Sequence, residues 1–172
     1  MMLTPEQLIS DRQARTAHNK ALRQAFWRGI RARLGRSCND LLSNEQVLGA
    51  LDLEKHRNLG LQKVPVERIV GSARTNDFDL RFGPLREKGD GRWLSVAQAR
   101  QEGIDLPPPY LYKVGDAYLV EDGNHRVSVA RARGEAWIAA QVIEIDASAL
   151  TPEASCTRLG LKLPESGPGQ SC

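Results

Sequence analysis

The spacing of apolar residues predicts a long helix at the start of the chain. Thr4-Pro5-Glu6-Gln7 has the form of a capping box with proline at the first helical position. Beyond it, apolar side chains recur every four residues at Leu22, Phe26, Ile30 and Leu34, flanked by Ala14, Ala17, Ala21 and Ala25. This pattern predicts an amphipathic helix whose apolar stripe faces inward and which ends near Gly35.

A second capping box, Ser43-Asn44-Glu45-Gln46, predicts a second helix. Val47, Leu48 and Leu51 would face inward, and the helix would end before residues 58–60. The first sixty residues are therefore expected to form a two-helix arm.

The remainder of the chain carries β-strand patterns. Residues 64–70 are rich in β-branched side chains, and Pro65 within them predicts an edge strand or a strand that soon turns. Residues 110–114 and 117–120, separated by Gly115-Asp116, predict a hairpin. Residues 136–145 give the strongest strand pattern. Before the hairpin, residues 94–102 predict a helix that starts with a capping box and ends at Gly103.

Between the hairpin and the last strand lies Asp122-Gly123-Asn124-His125-Arg126. Residues 127–133 predict one or two helical turns closed by Gly134, so this sequence stands where a strand gives way to a helix N-terminus. Unpaired backbone N–H groups and the positive end of the helix dipole collect there. The pattern predicts a site for a phosphate or a nucleotide.

Composition and charge suit one globular domain with an arm and a tail. The 172 residues are 41% hydrophobic and 26% charged. Residues 12–36 hold eight arginines or lysines and no acidic residue, which leaves −5 for the rest of a chain of net charge +3. No run has the length of a membrane span, so no membrane partner is expected. The three cysteines show no metal-ligand spacing and indicate a reducing, cytoplasmic location.

The basic helix has three interpretations. It could be a solvated face of a helix packed on the domain or on a second copy in a homodimer. It could bind DNA or RNA, through Arg23, Arg28, Arg31 and Arg33. It could also lie on a membrane surface, although its alanine-rich apolar face is thin.

Residues 62–145 resemble the ParB/sulfiredoxin superfamily. The resemblance rests on Val-Pro-Val-Glu-Arg-Ile at 64–69, a spacer with arginines, a Pro-Pro stretch into a hairpin, and above all residues 120–134. Within the last segment, Gly123 to Arg126 looks like that family's Gly-x-x-Arg phosphate-binding motif at a helix N-terminus. The resemblance implies an α+β fold, a small mixed sheet with short helices, for the domain over residues 61–150. The helix patterns place a helical arm before it at 1–60, and the Pro-, Gly- and Ser-rich composition after Thr151 indicates a partly disordered tail at 151–172.

The same resemblance implies a nucleotide ligand, ATP or CTP, with Mg²⁺ where phosphoryl transfer occurs. Relatives clamp DNA with CTP, reduce sulfinic acids with ATP or phosphorylate free serine, and some carry nuclease annotations. Sulfinic acid reduction needs a cysteine where this chain has Asn124. No helix-turn-helix pattern follows the domain, so a DNA- or RNA-binding function would use the basic helix, with the domain as a nucleotide switch or a non-catalytic module.

Candidate site residues follow from the corner at 122–126. Gly123 allows close approach of the backbone, and Arg126 offers a planar guanidinium to phosphate. Asn124 is expected to cap the helix and Ser128 to add a hydroxyl. The candidates for general acid, base or metal ligand in an NTPase or phosphotransferase are His125, Glu67 and, for both catalysis and metal binding, Asp122. Arg74 and Arg81 are further candidates for phosphate contact.

Overall fold

The computed structural model describes residues 5–34, 42–43, 48–49, 51, 53–72, 77–79, 81–85 and 91–146. Three helices lie in this part of the chain: α1 (Pro5–Leu34), α2 (Gly91–Gln101) and α3 (Asn124–Ala132). The strands are β1 (Leu42–Ser43), β2 (His56–Pro65), β3 (Ile69–Ser72), β4 (Tyr110–Val114), β5 (Ala117–Asp122) and β6 (Trp137–Ile145). A 3-10 turn, Val66–Arg68, joins β2 to β3.

All six strands form one mixed sheet in the order β1-β3-β5-β4-β6-β2. The hairpin β4–β5 and the pair β2–β6 are antiparallel, whereas β1–β3, β3–β5 and β4–β6 are parallel. β2 lies at one edge of the sheet and ends at Pro65, which has no N–H to donate to a neighbouring strand. The α+β class predicted from the sequence is confirmed.

The sheet has a core on each face. Alternate residues of β6 point inward on one side of the sheet. There Ile138, Ala140 and Val142 pack with α3 and with Phe78 and Phe82, which lie between β3 and α2. On the other face Leu48 and Leu51 cover the β4–β5 hairpin, as their predicted inward positions require. The rest of the predicted second helix lies outside the described residues, and Ser43 belongs to β1.

The first strand after the arm starts earlier than the sequence predicted. β2 begins at His56, so residues 58–60, where the second helix was expected to have ended, already belong to the sheet. β1 also joins the sheet, beside β3. The sheet therefore includes residues before residue 60, from β1 and from the first half of β2. The tail 151–172 lies outside the described residues.

Helix α1 buries the small residues of its predicted apolar stripe and leaves Phe26 exposed. Its buried face carries Ala14, Ala21 and Ala25, while Phe26 is exposed and Leu22 only half-buried. The side chains of Ile30 and Leu34 lie outside those described. Alanines allow α1 to pack closely on α2 and α3, where Trp93 fills the shared core. The buried face of α1 is therefore the alanine part of the predicted apolar stripe, and Phe26 does not belong to it.

Candidate functional site

The first turn of α3 begins at a glycine in a left-handed conformation. Gly123 is the residue that caps the helix, with φ 99° and ψ 26°, and no side chain forms a cap hydrogen bond. The first main-chain bond of the helix runs from the Val127 N–H to the Gly123 carbonyl, at 3.1 Å. The N–H groups of the first three helical residues therefore lie at the positive end of the helix with no side-chain cap.

Asn124 does not cap the helix, contrary to the prediction. It is the first helical residue and is buried, and its Oδ1 accepts a hydrogen bond from the Ser72 hydroxyl at 2.6 Å. Ser72 is the last residue of β3, so this bond ties the start of α3 to the sheet. Asn124 is thus a structural residue of the corner.

Arg126 folds back over the start of its own helix. Its Nη1 donates to the Pro107 carbonyl at 2.6 Å, and its Nη2 donates to Asp122 Oδ2 at 2.5 Å. The Arg126 side chain is only 16% exposed, whereas that of Asp122 is 71% exposed. The guanidinium is held between a rigid proline carbonyl and a carboxylate that faces solvent.

Gly123 is needed for this arrangement because two neighbours approach its α-carbon closely. A Cβ at this position would lie 2.6 Å from Pro109 Cβ and 2.8 Å from both Nε and Nη2 of Arg126. These distances are far below ordinary contact. The groups that approach Gly123 in this structure are those of Pro109 and Arg126, and its role in bringing the backbone close to a ligand stays a prediction.

His125 and Ser128 take different directions from α3. The His125 ring meets Phe78 edge to face, with ring centroids 5.4 Å apart. Ser128 is buried, and its hydroxyl accepts a hydrogen bond from Trp93 Nε1 at 2.9 Å. Ser128 therefore joins α3 to α2, while His125 stays at the helix N-terminus beside the 77–85 loop.

Glu67 lies away from the corner. It is exposed in the 3-10 turn, which contacts α3 through Arg131. Arg131 lies seven residues after Asn124, about 10 Å along the helix at 1.5 Å per residue. Glu67 is therefore placed beside the second half of α3, and the structure does not bring it together with Gly123 and Arg126.

Of the two upstream arginines, Arg81 is among the described residues. Arg74 lies outside the described residues. Arg81 is exposed on the loop whose Phe78 touches His125. Arg81 is thus on a segment adjoining the corner, and its main-chain N–H donates to Asp79 Oδ1 at 3.0 Å.

Two side chains, Asp79 and Arg131, anchor the chain around this corner, and neither of these structural roles was predicted from the sequence. Asp79 is buried and accepts main-chain N–H bonds from Arg81 and Gly83, which closes the loop. Arg131 Nη2 donates to the carbonyls of Val66 and Ile69, each at 2.7 Å. An aspartate four residues before a glycine is a turn signal that could have indicated the first anchor; the second depends on a contact more than sixty residues away.

The described residues hold no group of three His, Cys, Asp or Glu side chains suited to a metal ion. Asp122, the predicted metal ligand, is paired with Arg126.

The arginines predicted to contact nucleic acid belong to α1. Arg23 is exposed on that helix. Arg28, Arg31 and Arg33 continue α1 toward its end, and their side chains lie outside those described. The three cysteines also lie outside the described residues.

The described residues define an α+β protein with a mixed sheet and an uncapped helix N-terminus bearing His125 and Arg126. Comparison of the chain with protein-family models, with curated proteins and with solved structures finds no match. α1 has the length needed to cross a bilayer, but neither it nor another described helix is apolar enough to do so.

Proposed function

We propose that residues 123–126 bind the phosphate groups of a nucleotide, such as ATP or CTP, in a ParB/sulfiredoxin-like domain. The observation that carries the proposal is the start of α3, where left-handed Gly123 leaves the helix without a side-chain cap and Arg126 lies over the same glycine. Main-chain N–H groups, the helix dipole and a guanidinium then converge on one point, which favours an anion.

Binding would begin with an exchange of partners at Arg126. The Asp122 carboxylate now accepts from Nη2, but it is largely in solvent, and such exposed ion pairs stabilise by only about 0–1 kcal/mol. A phosphate offers more charge and more acceptor oxygens to the same donor. The Pro107 carbonyl, which holds Nη1, would keep the guanidinium in position during the exchange.

The remaining roles follow from that exchange. Asp122, released from Arg126, could hold Mg²⁺ together with phosphate oxygens, which suits an ion that keeps one or two carboxylates in such sites. His125, at the second helical position, could donate to a phosphate oxygen or act as general acid in hydrolysis or phosphoryl transfer. Arg81 is a second phosphate donor in this scheme, whereas Glu67 takes no part because it lies beside the other half of α3. We propose a cytoplasmic location, where a nucleotide is abundant and thiols stay reduced.

A thermal-shift screen tests the proposal. Inorganic phosphate and the four ribonucleoside triphosphates are added with and without Mg²⁺ to the wild type, Arg126→Met and Arg133→Met. Arg133 is the matched control, because it lies at the other end of α3 and loses the same charge. A ligand at one hundred times its Kd stabilises by about 2.7 kcal/mol, a rise of roughly 5–10 °C in Tm for a chain of this size.

We expect at least one nucleotide to raise the Tm of the wild type and of Arg133→Met, and to leave Arg126→Met unshifted. If no nucleotide shifts the wild type, or if Arg126→Met shifts as much as the wild type, the proposal is wrong.

A further inference from the structure

Helix α1 presents a basic surface on the side turned away from the protein. Its buried side carries Ser10, Ala14, His18, Ala21 and Ala25, which follow one another at three- and four-residue spacing. At 100° per residue, the opposite side carries six exposed basic or aromatic residues. We call this set the outer face of α1: Arg12, Arg15, Lys20, Arg23, Phe26 and Trp27.

Most of the positive charge on the outer face has no acidic neighbour. Arg15 is paired with Asp11 at 2.8 Å, one turn earlier. Within the described part of the chain no carboxylate pairs with Arg12, Lys20 or Arg23. From residue 12 to residue 23 the row of charge is about 16 Å long at 1.5 Å per residue. It therefore suits an extended polyanion better than a single small anion.

Two aromatic rings extend the row of charge at its C-terminal end. Phe26 is 63% exposed and Trp27 is 55% exposed, and their ring centroids lie 5.8 Å apart in an edge-to-face pair. Aromatic side chains are normally buried, and the predicted inward stripe would have buried Phe26. Rings left in water beside a basic row provide flat surfaces on which unpaired bases stack.

We propose that the outer face of α1 binds a single-stranded nucleic acid, with the basic row on its phosphates and with Trp27 and Phe26 stacking on bases. This function goes beyond nucleotide binding at Gly123–Arg126 and uses none of those residues. The charge of the row selects an anionic partner, and the exposed rings select one with unpaired bases over a duplex.

A homodimer through α1 fits these residues less well. An antiparallel pair would set Leu8 and Ile9, which are exposed, against Phe26 and Trp27 of the second copy. The same alignment would place Arg12 opposite Arg23, so that like charges meet in the middle of the interface. In a parallel pair, each basic residue would lie near the same residue of the second chain, so that like charges would again meet.

Fluorescence anisotropy of labelled 20-mers tests the proposal with the full chain. The ligands are single-stranded oligo-dT and oligo-U, a duplex of the same length, and the single strand at several salt concentrations. One variant, Arg12→Gln/Lys20→Gln/Arg23→Gln, removes three outer-face charges. Its control, Lys63→Gln/Arg68→Gln/Arg133→Gln, removes the same charge from exposed positions on β2, in the 3-10 turn and just after α3.

The aromatic contribution has its own matched pair. Trp27→Ala removes an outer-face ring, and Trp137→Ala removes a ring on β6 that is exposed to a similar extent, 50%. Circular dichroism of each variant verifies that the helices are retained.

We expect single strands to bind the wild type more tightly than the duplex. The outer-face triple variant should lower the slope of log K against log salt by about 2, since each phosphate contact on a single strand contributes about 0.7. Trp27→Ala should bind about five- to 150-fold more weakly, which corresponds to about 1–3 kcal/mol for one lost base stack. Both controls should bind like the wild type.

Three results would overturn the inference. The first is no binding of single strands by the wild type at 50 mM salt. The second is an equal loss of binding in the outer-face and control variants. The third is tighter binding of the duplex than of the single strand, with no effect of Trp27→Ala.

Discussion

Replacing Gly123 by alanine combines two costs at one position. A left-handed backbone conformation costs an L-residue about 1–2 kcal/mol, and Gly123 has φ 99°. The added Cβ would also lie 2.6 Å from Cβ of Pro109, which belongs to a ring held by the chain on both sides. Overpacking of this kind costs about 1–3 kcal/mol. We therefore expect Gly123→Ala to lower the free energy of unfolding by about 2–5 kcal/mol.

Gly134→Ala is the matched control for the conformational part. Gly134 also has a positive φ, of 73°, but a Cβ there would meet no atom within 4 Å. This variant should lose only about 1–2 kcal/mol. The difference between the two variants, about 1–3 kcal/mol, measures the close approach of Pro109 and Arg126 to the corner.

Urea unfolding followed by tryptophan fluorescence gives both free energies, since Trp93 is buried in the folded state and exposed on unfolding, whereas Trp27 and Trp137 are already half-exposed. In thermal unfolding the same difference corresponds to roughly 2–12 °C in Tm for a chain of this size. If Gly123→Ala loses no more free energy of unfolding than Gly134→Ala, then Pro109 and Arg126 do not approach Gly123 closely. The convergence of Arg126 on Gly123 would then not hold in solution.

Two other changes probe the fold, one at the corner and one on β6. Asn124→Ala removes the Oδ1 that accepts from the buried Ser72 hydroxyl and should destabilise by about 1–3 kcal/mol; in a double-mutant cycle with Ser72→Ala the two losses should be less than additive, and strict additivity would refute the bond. Glu144 accepts hydrogen bonds from Lys113 and Arg57, in that order of effect, which lowers the pKa of the Glu144 carboxyl below its ordinary 4.5. Its ionised form therefore stabilises the fold above pH 4.5, and this contribution is lost as the pH falls through the lowered pKa. Glu144→Gln should cost about 0.5–1 kcal/mol at pH 7 and almost nothing in strong acid, so a difference that stays constant in urea titrations across this range would contradict the ion pair.

Local signals in the sequence predicted much of the sheet and of α3. Gly115-Asp116 between two β-rich runs predicted the β4–β5 hairpin, and Gly115 does adopt a positive φ. Gly134 predicted the end of α3 in the same way. These features depend on a few adjacent residues, so a single sequence is enough to indicate them.

Features that depend on distant partners were not predictable. The spacing of Leu22 and Phe26 was as regular as that of the alanines, and only the position of Trp93 on α2 shows which face of α1 is buried. The parallel pairing of β4 with β6 was not predictable either, because β5 and α3 lie between these two strands in the chain. Hydrophobic periodicity predicts that a helix or strand has an apolar face but does not identify what that face packs against.

At the corner itself the sequence predicted the place better than the roles. Gly123 and Arg126 meet where the pattern indicated, but Asn124 was assigned to capping by its residue type, and it bonds to Ser72 instead. A left-handed glycine already occupies the capping position, and the Asn124 side chain found its partner on β3. The Arg126–Pro107 bond, across nineteen residues, has no local signal.

Calorimetric titration of nucleotide into Asp122→Ala, in the absence of divalent ions, tests the central claim most directly. The Asp122 carboxylate accepts from Arg126 Nη2 and adds negative charge beside the start of α3. If phosphate takes its place at Arg126, removing the carboxylate should tighten nucleotide binding over the wild type by about two- to tenfold, a few tenths to 1.4 kcal/mol. The same titration of Arg126→Met should show binding at least tenfold weaker. Unchanged affinity in both variants would contradict phosphate binding at Gly123–Arg126.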